Sequence, residues 1–420
     1  MNTSKKIDTH TIIVGSGIST DFFLKGVNKN KLKNFVVLTG NCENKEKIVY
    51  DKKEISITRA SEFGGLSKKW LGTSKIFQNE KYINSSVITR ESSKLQKYLL
   101  KNKSYLNRGE NFNSLPLNIS DLKKINSKKF NIYNSLNLKD GKGKKLQAKK
   151  HKNVKYIDYR IKKFYKIKDK IVCECYNNRN KIIIESKYLI LASGTIDTSI
   201  QLLKFFNFSK IKFRHQPYCR GFFMKKNKLK KFRNFNFPIL NFEYYKGINM
   251  SGSIGAFSKR IEEIFRGKII DSDFVFKISK KILYNKIVFF NFFLNSKINE
   301  FSIEKKNDYF LLKSKKNFNF IKLILKKKTQ DFFDFLNKNL NNKIFYSRVF
   351  VPKIGEDKHY FGIKIKTNKK LKVNSKCQLN FSKNIFIIDQ SVMDFDSSLF
   401  ITFLSICNSY RIGKIFNKFL

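Results

Sequence analysis

The run Thr11-Ile12-Ile13-Val14 reads as a buried strand. It passes directly into Gly15-Ser16-Gly17 and then into a segment that continues as a helix to about Val27. A second apolar strand is expected at Phe35-Val36-Val37-Leu38. Residues 62–72 form a glycine-framed loop leading into a short helix. Residues 80–150 are polar, lysine-rich and weakly periodic, as in a peripheral insertion, with an exposed turn at 139–144.

From 153 to 193 the pattern changes to short alternating strands at 154–157, 163–167, 171–176 and 181–185, which suits an antiparallel meander. Leu189–Ala192 is wholly apolar, as a central parallel strand would be. Residues 215–350 mix strand-like and helix-like segments rich in Phe and Lys. The α/β pattern returns at 355–420, with a strand at 384–389 ending in Asp389 and a closing helix from Thr402 to Phe416. No internal repeat and no low-complexity linker is visible.

Composition sets the scale. The 420 residues suffice for two packed domains. A content of 41% hydrophobic residues with 43 Phe excludes a disordered polycation. The net charge of +55 raises nucleic acid or an anionic membrane as partners. The lysines, however, are spread over most of the chain in a Lys/Asn/Ile/Phe-rich composition, which favours a solvated surface over a dedicated polyanion site. Specific nucleic-acid binding is not expected, and peripheral membrane contact through basic patches stays open. The six cysteines contain no CxxC. Cys173 and Cys175 share one strand face without a second pair to complete a metal site, so no metal is expected and free buried thiols are the default. With Lys5, Lys6 and Asp8 leading straight into a short strand, no secretory signal is expected at this N-terminus, and Ile287–Leu294 is too short to span a membrane. The expected location is cytoplasmic.

Gly15-Ser16-Gly17 between strand and helix is the arrangement that cradles a dinucleotide pyrophosphate, with Thr20 in place of the usual third Gly or Ala. Four further islands follow. They are Gly64-Gly65-Leu66-Ser67 through Trp70 and Gly72; Leu189-Ile190-Leu191-Ala192-Ser193-Gly194-Thr195-Ile196-Asp197-Thr198; His359-Tyr360-Phe361-Gly362-Ile363; and Asn384 to Val392, NIFIIDQSV. In this order, with a spacing of thirty residues from His359 to Asp389, the five islands resemble the glucose–methanol–choline (GMC) family of FAD-dependent oxidoreductases. They match its first glycine loop, its GG-[ST]-S segment, its "ILAAGAIxTP" turn, its HxxGT and its "NLYVVDASV". The resemblance covers about a third of the chain.

That resemblance implies an α/β fold, α+β overall, with a Rossmann-like FAD-binding domain and a second, antiparallel-sheet substrate domain. The FAD-binding domain would be discontinuous (7–80, 151–215 and 355–420), with a peripheral insertion at 81–150 and a substrate or cap domain at 216–354. FAD would lie against Gly15, Gly17, Gly64, Gly65, Ser67 and Gly194. For Gly64 and Gly65 an ordinary helix-entry turn is the competing role. Asp389 would either accept hydrogen bonds near the ribityl and phosphate region or cap the end of its strand. His359 would be the base in oxidation of a CH–OH group of a sugar, polyol or other alcohol, because imidazole titrates near working pH.

The sequence departs from the family in several places. Thr39 stands where an acid normally binds the adenosine ribose. No second His or Asn follows the fifth island. Ile363 replaces Thr, and the chain is shorter than typical members. Two other readings therefore stay open: a degenerate GMC-fold protein without catalysis, and a basic nucleic-acid-binding protein. The electron acceptor is not readable.

Overall fold

The protein is described by a computed structural model over residues 5–40, 46–60, 62–68, 73–74, 86–101, 130–133, 136–138, 146–178, 180–206, 208–225, 240–256, 287–339, 344–346, 349–356, 360–364, 373–393, 398 and 401–420. Its centre is a parallel sheet in the spatial order Lys155–Ile157, Phe35–Leu38, Lys5–Val14, Lys181–Leu191, Ser382–Ile387. Ile12, Ile13, Phe35 to Leu38 and Leu189 to Leu191 are buried. They are apolar without alternation because layers cover the sheet on both faces.

The first strand begins at Lys5, well before the apolar run. Its polar half pairs in parallel with Ile182–Ser186, so backbone pairing extends it where apolar burial does not. The two strands expected at 181–185 and 189–192 are one continuous strand, Lys181–Leu191. That strand changes partners along its length. Lys181–Ser186 pairs antiparallel with Lys170–Tyr176, and Leu189–Leu191 pairs parallel with Ser382–Ile387. The hairpin of Arg160–Ile167 and Lys170–Tyr176 completes the meander. The strand expected at 154–157 is not part of it. Lys155–Ile157 runs parallel to Phe35–Leu38 as an edge strand.

The helix Ile18–Gly26 packs on the closing helix Thr402–Phe416, which has the limits read from the sequence. Their backbones nearly touch. A Cβ on Gly413 would lie 2.1 Å from Phe23 O, and one on Gly26 would lie 2.4 Å from Tyr410 O. The amphipathic helix Val87–Lys101 covers the closing helix from outside, burying Leu99 and Leu100 with Phe403, Ile406 and Tyr410.

Two antiparallel layers sit beside this domain. A five-stranded sheet joins Lys210–His215, Asn299–Lys305, Phe310–Ser314 and Tyr360–Lys364, with Ile48–Tyr50 added in parallel at its edge. A six-stranded cap sheet runs Ile344–Tyr346, Tyr218–Lys225, Ile287–Leu294, Met250–Ala256, Leu240–Tyr244, Phe130–Tyr133. Its last strand comes from the stretch read as the peripheral insertion. The predicted turn at 139–144 lies outside the described residues.

Alternation divides the cap sheet into two faces. Phe242, Phe290 and Phe292 pack on Phe332 and Phe333 of the helix Phe318–Asn339, with the Phe242 and Phe332 rings stacked at 4.3 Å. The alternate residues Asn291 and Phe293 face the other way, into the space between the cap sheet and the carboxyl edge of the parallel sheet. No helix among the described residues is long and apolar enough to cross a membrane.

Candidate functional site

A cavity of about 450 Å³ occupies that space. It starts at the ends of the parallel strands beside Thr39 and Gly40, passes the glycine loops, and ends against Arg220, Asn291 and Ser253 of the cap sheet. This is where open α/β sheets bind ligands, outside the carboxyl ends of their strands.

The first glycine loop is held from both sides. Gly15 N–H donates to Leu38 O at 2.9 Å, and Ala192 N–H donates to Val14 O at 2.9 Å. Gly15 has φ +106°, and a Cβ there would lie 2.5 Å from Ala192 O, so the turn and the strand contact both require glycine. Gly17 needs glycine for neither reason. Among the described residues, its chain neighbours aside, nothing lies within 4 Å of where its Cβ would be, and Gly17 lines the cavity. Thr20 is buried, and its hydroxyl donates to Gly15 O at 2.6 Å, so the unusual third residue ties the loop down from inside the helix.

Gly64 and Gly65 are brought onto this loop. Gly64 N–H donates to Ser16 O at 3.1 Å, and Gly65 sits with φ +54° at the start of the turn Gly65–Lys68. Ser67 is on that turn; its side chain, Trp70 and Cys42 lie outside the described residues. Gly194 has φ +84°, lines the cavity, and has open space where a Cβ would be.

Three helices start at the cavity: Ile18–Gly26, Thr195–Phe205 and Thr402–Phe416. Their N-caps, Gly17, Gly194 and Ile401, make no side-chain capping hydrogen bond. Backbone N–H groups and the positive dipole end at a helix N-terminus can meet an anionic ligand, although at Thr195–Phe205 the Asp389 carboxylate already takes Gly194 N–H.

Asp389 joins the pieces from below. Its Oδ2 accepts from Gly194 N–H at 2.8 Å and from Thr198 Oγ1 at 2.7 Å, and its Oδ1 accepts from Ser391 N–H at 2.9 Å. The carboxyl caps the short helix Gln390–Val392 and ties the third island to the fifth. Burial pushes its protonation up, against those three donors. The fourth island reaches the same place. Gly362 has φ +60°, and a Cβ on it would lie 2.5 Å from Met393 O. Tyr360 and Phe361 line the cavity, and Thr195 Oγ1 donates to Tyr360 O at 3.0 Å. His359 lies outside the described residues.

At the far end, Thr39 Oγ1 donates to Asp158 Oδ1 at 3.0 Å. A carboxylate thus stands one strand away from the position where the sequence lacks one. Nearby, the Arg160 guanidinium donates to Gly40 O through Nε at 3.0 Å and Nη2 at 2.7 Å.

A charge cluster lines the wall between. Arg59 Nε donates to Asp197 Oδ1 at 2.9 Å, and Arg59 Nη1 donates to Glu46 O at 3.0 Å. Lys204 Nζ donates to Glu46 Oε1 at 2.9 Å. Burial opposes the charge on Glu46, but Lys204 and Arg59 outweigh it and hold the carboxyl below the usual range. Arg59, Asp158, Arg160 and Arg220 carried no local sequence signal. Asn291 carried one, as the single polar residue in Ile287–Leu294.

The described cysteines are buried and unpaired, and burial pushes the Cys175 and Cys219 thiols up to about 12, so they are poor nucleophiles. Among the described residues no group of three His, Cys, Asp or Glu side chains is placed to hold a metal ion.

Fold and site together define a two-domain α/β architecture with a cavity between the parallel sheet and an antiparallel cap. The crystal structure of pyridoxine 4-oxidase from Mesorbium loti has the same fold. It aligns over 98% of this chain and 99% of its own with a TM-score of 0.62, at 10% sequence identity. No family model and no curated protein matches the sequence.

Proposed function

We propose that this protein is an FAD-dependent oxidoreductase acting on a CH–OH group of a sugar, polyol or other alcohol. The observation that carries the reading is the meeting of three helix N-termini, whose N-cap residues Gly17, Gly194 and Ile401 make no side-chain capping bond of their own, with Gly15, Gly17, Gly65 and Gly194 along one cavity. That combination fits a long, doubly anionic cofactor pressed against backbone. The fold shared with a solved oxidase supports it.

The loop Gly15–Gly17 and the N-terminus at Ile18 would hold the pyrophosphate. Thr39, backed by Asp158, would take the adenosine ribose. Gly64, Gly65 and the Ser67 turn would lie along the ribityl and isoalloxazine end. Asp389 would shape the backbone of Gly194 there, since its own oxygens are already engaged. When bound, FAD supplies the hydride acceptor. His359, the residue before cavity-lining Tyr360, would take the substrate's hydroxyl proton. Buried, unpaired thiols suit a cytoplasmic setting.

The test is anaerobic mixing of the FAD-loaded protein with a panel of sugars, sugar acids and polyols. Bleaching of the flavin absorbance by at least one of them is expected. A panel that leaves the flavin oxidised throughout would favour the non-catalytic reading.

A further inference from the structure

The cap sheet presents an unusual row to the cavity. Tyr218–Lys225, Ile287–Leu294 and Met250–Ala256 are adjacent antiparallel strands, and their register sets Arg220 opposite Asn291 and Asn291 opposite Ser253. Directly paired residues share a face, so the three side chains stand in one line, about 5 Å apart at Cβ. All three line the cavity. The next row on this face is Tyr218, Phe293 and Ser251.

This row is built to stay in place. The Tyr218 ring stacks on Phe293 at 5.5 Å and 15°. Arg220 donates through Nη2 to the Tyr218 hydroxyl, with its guanidinium carbon 5.1 Å from the Tyr218 ring centroid. Tyr218 therefore aims the guanidinium and consumes one of its five N–H donors. Among the described residues no carboxylate is within ion-pair distance of Arg220. Asn291 Oδ1 is buried without a hydrogen-bond partner.

The carboxylates on the cavity wall stand elsewhere. Glu46 and Asp197 hold Arg59, Asp389 is saturated by its own donors, and Glu62 and Glu356 belong to loops outside the cap sheet. A guanidinium with spare donors beside an unpaired amide oxygen is costly on a largely apolar wall, and a ligand offering an oxyanion and a hydroxyl would satisfy both.

We propose that Arg220, Asn291 and Ser253 form a subsite for an oxyanion on the substrate, so that the substrate is a hydroxylated acid or a phosphorylated sugar, not a neutral polyol. Arg220 takes the oxyanion, and Asn291 Oδ1 accepts from a neighbouring substrate hydroxyl. The proposal rests on the oxidoreductase reading for the fate of the substrate, but not for its binding.

Three probes test it on the full-length protein: D-gluconate, D-glucose 6-phosphate and uncharged D-glucose. Binding is followed by the shift in melting temperature, and flavin content is recorded separately. At least one anionic probe should bind about 10- to 100-fold more tightly than glucose; which one does identifies the oxyanion as carboxylate or phosphate. Arg220→Gln should abolish the preference with flavin content unchanged, and Arg220→Lys should keep part of it. Because Arg220→Gln removes one charge from a net +55, general attraction of anions is unaltered and any loss is local. If Arg220→Gln does not fold, Asn291→Asp, which sets a carboxylate opposite Arg220, should abolish the preference instead.

Equal binding of glucose and both anionic probes overturns the subsite, as does a preference that survives Arg220→Gln or, where that variant does not fold, Asn291→Asp. A protein that holds no flavin yet shows Arg220-dependent anion binding upholds the subsite and overturns the oxidoreductase reading.

Discussion

Gly17→Ala is expected to give a protein that folds as the parent does and no longer retains FAD. The position has ordinary backbone (φ −75°), so alanine adds no strain, and among the described residues beyond its chain neighbours its methyl meets no atom within 4 Å. The space it enters is the space assigned to the pyrophosphate. Gly15→Ala makes the contrast. There the methyl would lie 2.5 Å from Ala192 O at φ +106°, prising apart the first strand and Lys181–Leu191. Gly15→Ala should lose about 3 kcal/mol or more of stability along with the cofactor, whereas Gly17→Ala should stay within about 0.5 kcal/mol of the parent. FAD affinity in Gly17→Ala should fall by roughly 100-fold, the equivalent of about 2.8 kcal/mol. Unfolding midpoints and FAD titration of both variants check this. Unchanged FAD affinity in Gly17→Ala would mean that the pyrophosphate does not lie at this loop.

The second large effect is expected from His359→Ala. Loss of a positioned general base costs roughly 10²- to 10⁴-fold in rate. The rate of flavin reduction by substrate should fall by that much while FAD binding is kept. The residues that follow it are tied to the cavity. Tyr360 is buried, its carbonyl accepts from Thr195, and Gly362 packs against Met393. Rapid-mixing measurement of the reductive half-reaction, with flavin content recorded beside it, separates the base from a residue that merely supports the fold. Because the base must be unprotonated to act, the parent rate should rise with pH through the imidazole range, and the variant should lose that dependence.

The parts of this fold that were legible in the sequence are those where one segment sets its own structure. The apolar run before Gly15, the strand at Phe35–Leu38 and the closing helix Thr402–Phe416 needed only local pattern. Burial on both faces made the central strands read as unbroken apolar runs. The polar half of the first strand did not show, because its partner Ile182–Ser186 lies far along the chain. For the same reason Lys155–Ile157 resembled a meander strand until its parallel pairing was known.

The site divides in the same way. Gly15, Gly65 and Gly194 were legible because positive φ or a close approach restricts the residue type itself, and Gly17 because of its place beside Gly15 between strand and helix. Apart from Asp389, which the fifth island marks, its charged groups were not. Arg59 reaches Asp197 across 138 positions, and Thr39 meets Asp158 across 119. The row of Arg220, Asn291 and Ser253 exists only in the register of three strands. Among the described residues the high net charge, the most conspicuous feature of the composition, enters the cavity lining through Arg59, Arg160 and Arg220, with Lys204 behind them on Glu46.

The central claim is that the cavity between the parallel sheet and the cap holds FAD. The absorbance spectrum of the purified protein, compared before and after denaturation, tests it most directly. The account predicts the two-banded near-ultraviolet and blue absorbance of an oxidised flavin, with FAD released into solution on unfolding. A colourless protein that stays colourless after incubation with excess FAD would contradict it.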